Sequence, residues 1–320
     1  MKKINYVEYF KVFENKQNKS IVISIGEFHD FYNCGENEAA LDVNNIIGDI
    51  FSFYKNTINN FIQRSFHPNF KRGFMNQIRR DVSREDSVNV LVELDMTRCA
   101  GSYEPQNDVY DSNLFRVCDD FLKNKKKWKW IPIDRRSKIV FLPYLTKIIN
   151  KIMKYEKYLT ESKVYNIVDD FLVYEEDIYS FLESYPSDNF FKKQILLSYN
   201  KIKKIFKTCR DKTMLDIKTI GHLVGNIITA MQDIYCVEFI QNDKINIIYS
   251  GASHNRNIES FFRKNNYKVI LKGKNISVNC TTIDLDLLNK ILLNFYSNKI
   301  LEIKNKLTVD RPPPRGVKHL

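Results

Sequence analysis

Two segments of the chain share one pattern, a β-branched apolar run followed by Gly-x-x-His. The first spans residues 21–29 and the second spans residues 245–254. Such runs favour strands, and a glycine allows the backbone to turn sharply where each strand would end. The carboxyl ends of parallel strands meet at one edge of a sheet, where α/β proteins build their sites. The pattern therefore predicts that His29 and His254 lie at a common site.

Strands and helices alternate along the chain. Apolar runs predict five strands, at 21–25, 88–94, 129–133, 245–250 and 267–271. Helical periodicity lies between them, most clearly at 39–63, where seven apolar side chains fall near one face: Ala40, Val43, Ile46, Ile47, Ile50, Phe51 and Tyr54. This alternation is typical of an α/β fold, with a mainly parallel central sheet flanked by helices.

Residues 140–208 contain no convincing strand and have the composition of several helices. We expect them to form a helical insertion or cap within one α/β domain made of residues 1–139 and 209–306. The tail 307–320 is predicted to be flexible, because its proline run cannot continue a helix. Residues 211–239 favour one long helix or two. Within that helix we expect His222 to pack, and Asp233 to be solvated or to cap the helix.

The net charge of +12 raises the question of a nucleic-acid partner. The densest basic stretch is 123–129, beside Trp128 and Trp130, and aromatic rings next to lysines can stack on bases. A basic loop leading into a strand explains the same residues, and no helix-turn-helix, RNP or zinc-finger pattern is present. We therefore expect at most weak binding to nucleic acid or to another anionic surface.

Several other classes of protein are disfavoured. The six cysteines form no Cys-x-x-Cys pair, which argues against thiolate zinc sites and thioredoxin-like chemistry. No apolar run is long enough to predict a membrane span, and the first residues lack the apolar core of a secretory signal. The sequence thus predicts a cytoplasmic protein.

Ionisable residues follow four of the predicted strands. They are Glu27 and His29 after the first, Glu93 or Asp95 after the second, Asp134 with Arg135 or Arg136 after the third, and His254 after the fourth. A carboxylate that follows a buried strand costs desolvation energy unless it is paired, metal-bound or exposed. Each residue also has a structural explanation: a core histidine for His29 or His254, a buried salt bridge for Glu27, and an ion pair for Asp134 and Arg135.

Together these residue types favour hydrolysis of an amide or ester bond in a peptide or small molecule. His29 and His254, with Glu27 or Glu93 as the third ligand, form a ligand set for a divalent metal, zinc or manganese, which leaves a position open for water. Glu27 or Glu93 could then act as general base, and Arg135 could stabilise an oxyanion or grip the substrate. A metal-free scheme needs the same groups, with one histidine activating water and a carboxylate orienting that histidine.

The two Gly-x-x-His motifs resemble those of the erythromycin esterase/ChaN-like superfamily, in particular its TraB/PrgY/Tiki branch. The second motif is the closer match, because 247–254 with the helix near 258–262 and the strand near 266–270 looks like that branch's strand, turn, helix and strand. The first motif, with Glu27 inside it, is similar to the Gly-Glu-x-His of the erythromycin esterase branch. Uncharacterised proteins of large DNA viruses share the same early-and-late histidine layout.

This resemblance covers the ends of the chain and the second and third strands. It implies an α/β fold whose site lies at the carboxyl edge of the sheet, with His29, His254 and Glu27 as site residues. Tiki-type members are metal-dependent peptidases, erythromycin esterases are metal-free hydrolases, and ChaN-like members bind haem. The chain departs from the TraB branch because 231–239 has no counterpart of its arginine-containing segment and no membrane anchor is predicted.

We therefore expect a divalent-metal-dependent hydrolase. The alternative is a catalytically inactive binding or virion-associated protein that uses its basic surface, located in the host-cell cytoplasm or the virion if it is viral.

Overall fold

The computed structural model describes residues 1–27, 43, 45–50, 56, 60, 88–93, 130–134, 139, 141–155, 169–209, 217–277 and 280–309. Its strands are β1 (Lys2–Asn5), β2 (Val7–Asn15), β3 (Ser20–Glu27), β4 (Val88–Val92), β5 (Trp130–Pro132), β6 (Ile245–Gly251), β7 (Lys268–Lys272), β8 (Lys274–Ser277) and β9 (Cys280–Ile283). Its helices are α1 (Leu142–Tyr155), α2 (Glu175–Glu183), α3 (Phe190–Cys209), α4 (Ile217–Glu238), α5 (Ala252–Lys264) and α6 (Leu285–Val309).

Of the two sheets in the described residues, the larger has six strands in the order β5-β4-β6-β3-β2-β7, and it contains all five predicted strands. Its first four strands are parallel, whereas β2 is antiparallel to both β3 and β7. The expectation of a mainly parallel sheet is therefore wrong, and the sheet is mixed. The physical reason is the short connection from β2 to β3 through residues 16–19, because a hairpin can join only antiparallel strands.

The sequence does not predict β2, and its burial pattern explains why. Only Glu8, Lys11 and Glu14 of this strand are partly exposed, so its exposed positions recur every third residue. The register shifts twice, between Val7 and Tyr9 where it pairs with β3, and between Val12 and Phe13 where it pairs with β7. These irregularities break the two-residue alternation that identifies a strand in sequence.

Helices cover both faces of the sheet. Successive residues of a strand point to opposite faces, so Val22 belongs to one hydrophobic cluster and Ile23 to the other. The first cluster joins the sheet to α1, α2, α3, α4 and α5, and the second joins it to α6 and to the helical residues of 43–50. Every residue of β3 and β6 is buried, as expected for central strands between two helical layers.

Several helix predictions fall within the described residues. Val43, Ile46, Ile47 and Ile50 are helical and buried, as the periodicity of 39–63 predicts, whereas Ala40, Phe51 and Tyr54 lie outside the described residues. In the described part of 211–239, helix α4 is one continuous helix rather than two. Helices α1, α2 and α3 share a cluster with one face of the sheet, and the division into an α/β domain and an insertion stays a prediction.

The chain end and the smaller sheet complete the fold. Helix α6 continues to Val309, beyond the predicted start of the tail at 307, and the rest of the tail lies outside the described residues. Strands β1, β9 and β8 form a separate antiparallel sheet. Among the helices that the structure describes, none combines the length and the apolarity that a membrane crossing needs.

Candidate functional site

Polar residues lie at the carboxyl edge of the four parallel strands. Glu27 ends β3 and is the register partner of Gly251, which ends β6. Glu93 follows β4, and its backbone N–H donates to the carbonyl of Tyr249 at 2.9 Å. Asp134 follows β5 and is buried. The structure thus places Glu27, Glu93 and Asp134 at the carboxyl ends of β3, β4 and β5, at the edge of the sheet where α5, which carries His254, begins.

The remaining predicted site residues lie outside the described part of the chain. They are His29, Arg135 and the alternatives Asp95 and Arg136. The basic stretch 123–129 also lies outside it.

The two motif glycines do not serve the turn that the sequence suggests. Gly251 has φ −56° and ψ 145°, a conformation open to any residue. Gly26 lies inside β3, where a Cβ atom would come within 2.8 Å of the Cα of Ala252 and of the Cβ of Tyr9. Gly26 is therefore required because α5 approaches the strand closely.

Asn255 anchors the first turn of α5 to the sheet. It is fully buried, and its Nδ2 lies 3.1 Å from each of the carbonyl oxygens of Ile25, Ser250 and Gly251. Its Oδ1 accepts a hydrogen bond from the hydroxyl of Ser24. One side chain thus joins β3, β6 and α5, and it fixes the backbone beside His254.

The ring of His254 lies between two buried carboxylates. Its Nδ1 is 2.7 Å from Oδ1 of Asp233, and its Nε2 is 3.4 Å from Oε1 of Glu93. The side chain of His254 is 14% exposed, against 1% for Asp233 and 7% for Glu93. The imidazole is thus held at one nitrogen by a shielded carboxylate and faces a second carboxylate with the other.

Both carboxylates have further donors. Asn257 Nδ2 donates to Oδ2 of Asp233. Oε2 of Glu93 accepts the backbone N–H of Gly251 at 2.6 Å, and its Oε1 accepts Gln232 Nε2 at 3.1 Å. Glu93 therefore has a fixed orientation at the start of α5, where an anion also interacts favourably with the helix dipole.

The expectation that Asp233 is solvated or caps a helix is wrong. It lies in the middle of α4, where residues 230–234 are all buried. A charged residue inside a buried, mostly apolar segment of a helix must be paired. That rule could have identified Asp233 from the sequence. His222, expected to pack, is exposed on the same helix.

Burial dominates the electrostatics of Asp233. Desolvation raises the pKa of its carboxyl group above the ordinary range, and the charge of Glu93 adds to this effect. The charge and hydrogen bond of His254, and the hydrogen bond from Asn257, act in the opposite direction without cancelling it.

Cys236, one turn further along α4, is a buried free cysteine, and burial raises the pKa of its thiol well above the usual value. A protonated thiol of this kind is a weak nucleophile.

Glu27 also has a partner that sequence reasoning missed. Its carboxylate accepts a hydrogen bond from the hydroxyl of Tyr249, a buried residue of β6. The two side chains come from adjacent parallel strands, so only the pairing of β3 with β6 brings them together.

The donor types at this edge suit a divalent metal. Imidazole nitrogen and carboxylate oxygen are ligands for zinc and manganese, and a carboxylate on the opposite ring nitrogen commonly orients a metal-binding histidine. Asp233 occupies that position at His254. Within the ranges that the structure describes, no three or more His, Cys, Asp and Glu side chains are arranged to hold a metal ion. The predicted ligand His29 lies outside those ranges.

Comparisons with known proteins found no match. No family model, no curated protein and no solved structure matches the chain. The resemblance to the erythromycin esterase/ChaN-like superfamily stays a prediction based on the two motifs.

Proposed function

We propose that the protein is a hydrolase of the Tiki/TraB/erythromycin-esterase type that cleaves an amide or ester bond in a peptide or small molecule. The observation that carries the proposal is the position of His254, with Nδ1 at 2.7 Å from Asp233 and Nε2 at 3.4 Å from Glu93. A carboxylate at Nδ1 favours the tautomer with the proton on that nitrogen, which leaves Nε2 as acceptor or ligand.

Each of these side chains has a distinct role in the proposal. Asp233 orients the imidazole and stabilises the charge that it gains. Nε2 of His254 takes the proton of the water that attacks the carbonyl carbon, and the proton then passes to the departing amine or alcohol. Glu93 stabilises the positive charge that develops on the ring, because its own hydrogen bonds hold it close to Nε2.

The metal-dependent version uses the same edge of the sheet. His254 and Glu27, with His29, would hold zinc or manganese, which supplies a bound water of lowered pKa. Asp233 then keeps the imidazole in the orientation of a ligand. In the metal-free version Nε2 of His254 is the general base, and Arg135 holds the oxyanion.

Exchange of His254 provides the test. We expect His254→Ala to lower hydrolysis of a panel of nitrophenyl esters and fluorogenic peptides at least 100-fold. His222→Ala is the matched control, because His222 is exposed on α4 and should leave the rate unchanged. Zinc and manganese content, measured by elemental analysis, should fall with activity in His254→Ala if a metal takes part. Full activity of His254→Ala would refute the proposal.

The net charge of +12 supports the alternative, a catalytically inactive binding or virion-associated protein. In that case the folded wild-type protein hydrolyses no substrate of the panel, and oligonucleotide binding survives His254→Ala. A cytoplasmic location, in the host cell or virion if the protein is viral, remains part of either proposal.

A further inference from the structure

Helix α3 has an unusual distribution of charge. Its 20 residues contain six lysines and neither Asp nor Glu. The buried side of the helix comprises Phe191, Ile195, Ser198, Tyr199, Ile202 and Phe206. The spacing of these residues fixes which side of α3 faces the core, and hence which lysines face outward.

Two of the six lysines have structural partners. Lys192 Nζ donates to the carbonyl oxygens of Leu182 at 2.7 Å and Tyr185 at 2.8 Å, at the end of α2. Lys203 Nζ lies 2.6 Å from Oε1 of Glu175, in the first turn of α2. These two cations stabilise the packing of α2 against α3 and are not available to a partner.

The other four lysines lie on the opposite side of α3. Lys193, Lys201, Lys204 and Lys207 are all exposed, and none forms an ion pair with a carboxylate of the described residues. At a rise of about 1.5 Å per residue, the row from Lys193 to Lys207 is about 21 Å long. We call these four residues the α3 lysine row.

We propose that the α3 lysine row is a docking surface for the phosphate backbone of double-stranded DNA. Phosphates on one strand of a duplex recur about every 3.4 Å along its axis, so a row of about 21 Å spans about six of them. Asn200 is exposed within the row and adds a side-chain donor of the kind that binds phosphate oxygens.

Other anionic partners fit this surface less well. An anionic membrane would need apolar side chains to insert, and Leu197 is the one large apolar residue of α3 that is exposed. Stacking on single-stranded bases would need exposed aromatic rings, and the exposed residues of α3 include none. The row therefore fits sequence-independent contact with a duplex backbone.

The test uses the full chain and a fluorescein-labelled 20-base-pair DNA duplex, with affinity measured between 50 and 200 mM salt. The variant exchanges Lys193, Lys201, Lys204 and Lys207 for glutamine. The matched control makes the same charge change at four exposed lysines elsewhere: Lys268, Lys272, Lys274 and Lys290. Circular dichroism and thermal unfolding establish that both variants are folded.

We expect the variant to reduce the slope of log K against log salt by about 3.6, because each phosphate contact contributes about 0.9. At 50 mM salt its affinity for the duplex should fall at least tenfold further than that of the control. Equal losses in the two variants, or no loss in either, would overturn the proposal. Binding only to single-stranded DNA, to polyglutamate or to phosphatidylserine vesicles would overturn it as well.

Discussion

Nδ1 of His254 lies 2.7 Å from Oδ1 of Asp233, which joins the first turn of α5 to the middle of α4. The ring is partly accessible, whereas the carboxylate is almost completely buried. The buried carboxylate sets the tautomer of the imidazole, because it accepts a hydrogen bond from Nδ1 and so fixes the nitrogen that carries the proton. Several properties of the protein should depend on this contact.

Asp233→Asn should preserve the shape of the contact and remove its charge. The amide can turn its NH₂ group toward Nδ1, which would favour the opposite tautomer of His254. We expect hydrolysis to fall by about 10² to 10⁴-fold, as when the orienting carboxylate of a catalytic histidine is replaced. Nitrogen NMR of the labelled imidazole should show loss of the Nδ1-protonated form. An unchanged tautomer and rate would show that Asp233 does not position the ring.

The raised pKa of Asp233 predicts a dependence of stability on pH. The folded protein holds this proton more tightly than the unfolded chain does, so ionisation of Asp233 destabilises the fold. The stabilisation that comes from this proton is complete below the unfolded pKa of about 3.9, and it is lost as pH rises through the pKa of Asp233 in the folded protein. The free energy of unfolding of the wild type, relative to Asp233→Asn, should therefore fall as pH increases from about 4.

Urea titrations of the two proteins across this range provide the measurement, and only their difference is interpreted, since other groups also titrate. If the free energy of unfolding of the wild type, relative to Asp233→Asn, increased with pH, His254 and Asn257 would stabilise the carboxylate more than burial penalises it.

Gly26→Ala should destabilise the fold by about 1–3 kcal/mol, because overpacking forces the backbone to move. The new Cβ would lie 2.8 Å from the Cα of Ala252, so α5 and His254 would have to shift. Gly225→Ala in α4 is the control, since its Cβ would meet nothing nearer than Ile149 Cδ1 at 3.8 Å. Alanine favours a helix, so this control should gain about 0.5–1 kcal/mol. Equal unfolding midpoints for the two variants would contradict the close approach of α5 to β3.

Asn255→Ala should be strongly destabilising, because it removes the shared donor for carbonyl groups of β3 and β6. Leaving buried polar groups unsatisfied costs about 1–3 kcal/mol each. Asn226→Ala, on the exposed side of α4, should change stability by less than about 0.5 kcal/mol. Denaturant unfolding provides the comparison. A small effect at Asn255 would mean that backbone pairing alone holds the start of α5.

Local patterns identified much of the fold. The β-branched runs located five strands, and the apolar periodicity of 39–63 located Val43, Ile46, Ile47 and Ile50 on a buried face. The position of polar residues after strands identified Glu27, Glu93 and Asp134 as residues of one sheet edge. These features follow from neighbouring residues, since side-chain period and β-branching act over a few positions.

Features that depend on distant residues were not predictable in this way. β2 was missed because its register shifts obscure the alternation, and with it the antiparallel part of the sheet. Tyr249 meets Glu27 across two strands that are far apart in the chain.

The two histidine motifs show where this boundary lies. The residue pattern at 245–254 predicted a strand that ends shortly before a histidine. In the structure β6 ends at Gly251, and His254 lies in the first turn of the helix that follows. The need for glycine at position 26 comes from α5 packing on β3, and the carboxylate that holds His254 comes from α4. A single strand and its turn contain neither contact. Both arise when separate elements bury their surfaces together, because only then does a carboxylate such as Asp233 lose water and need the imidazole as its partner.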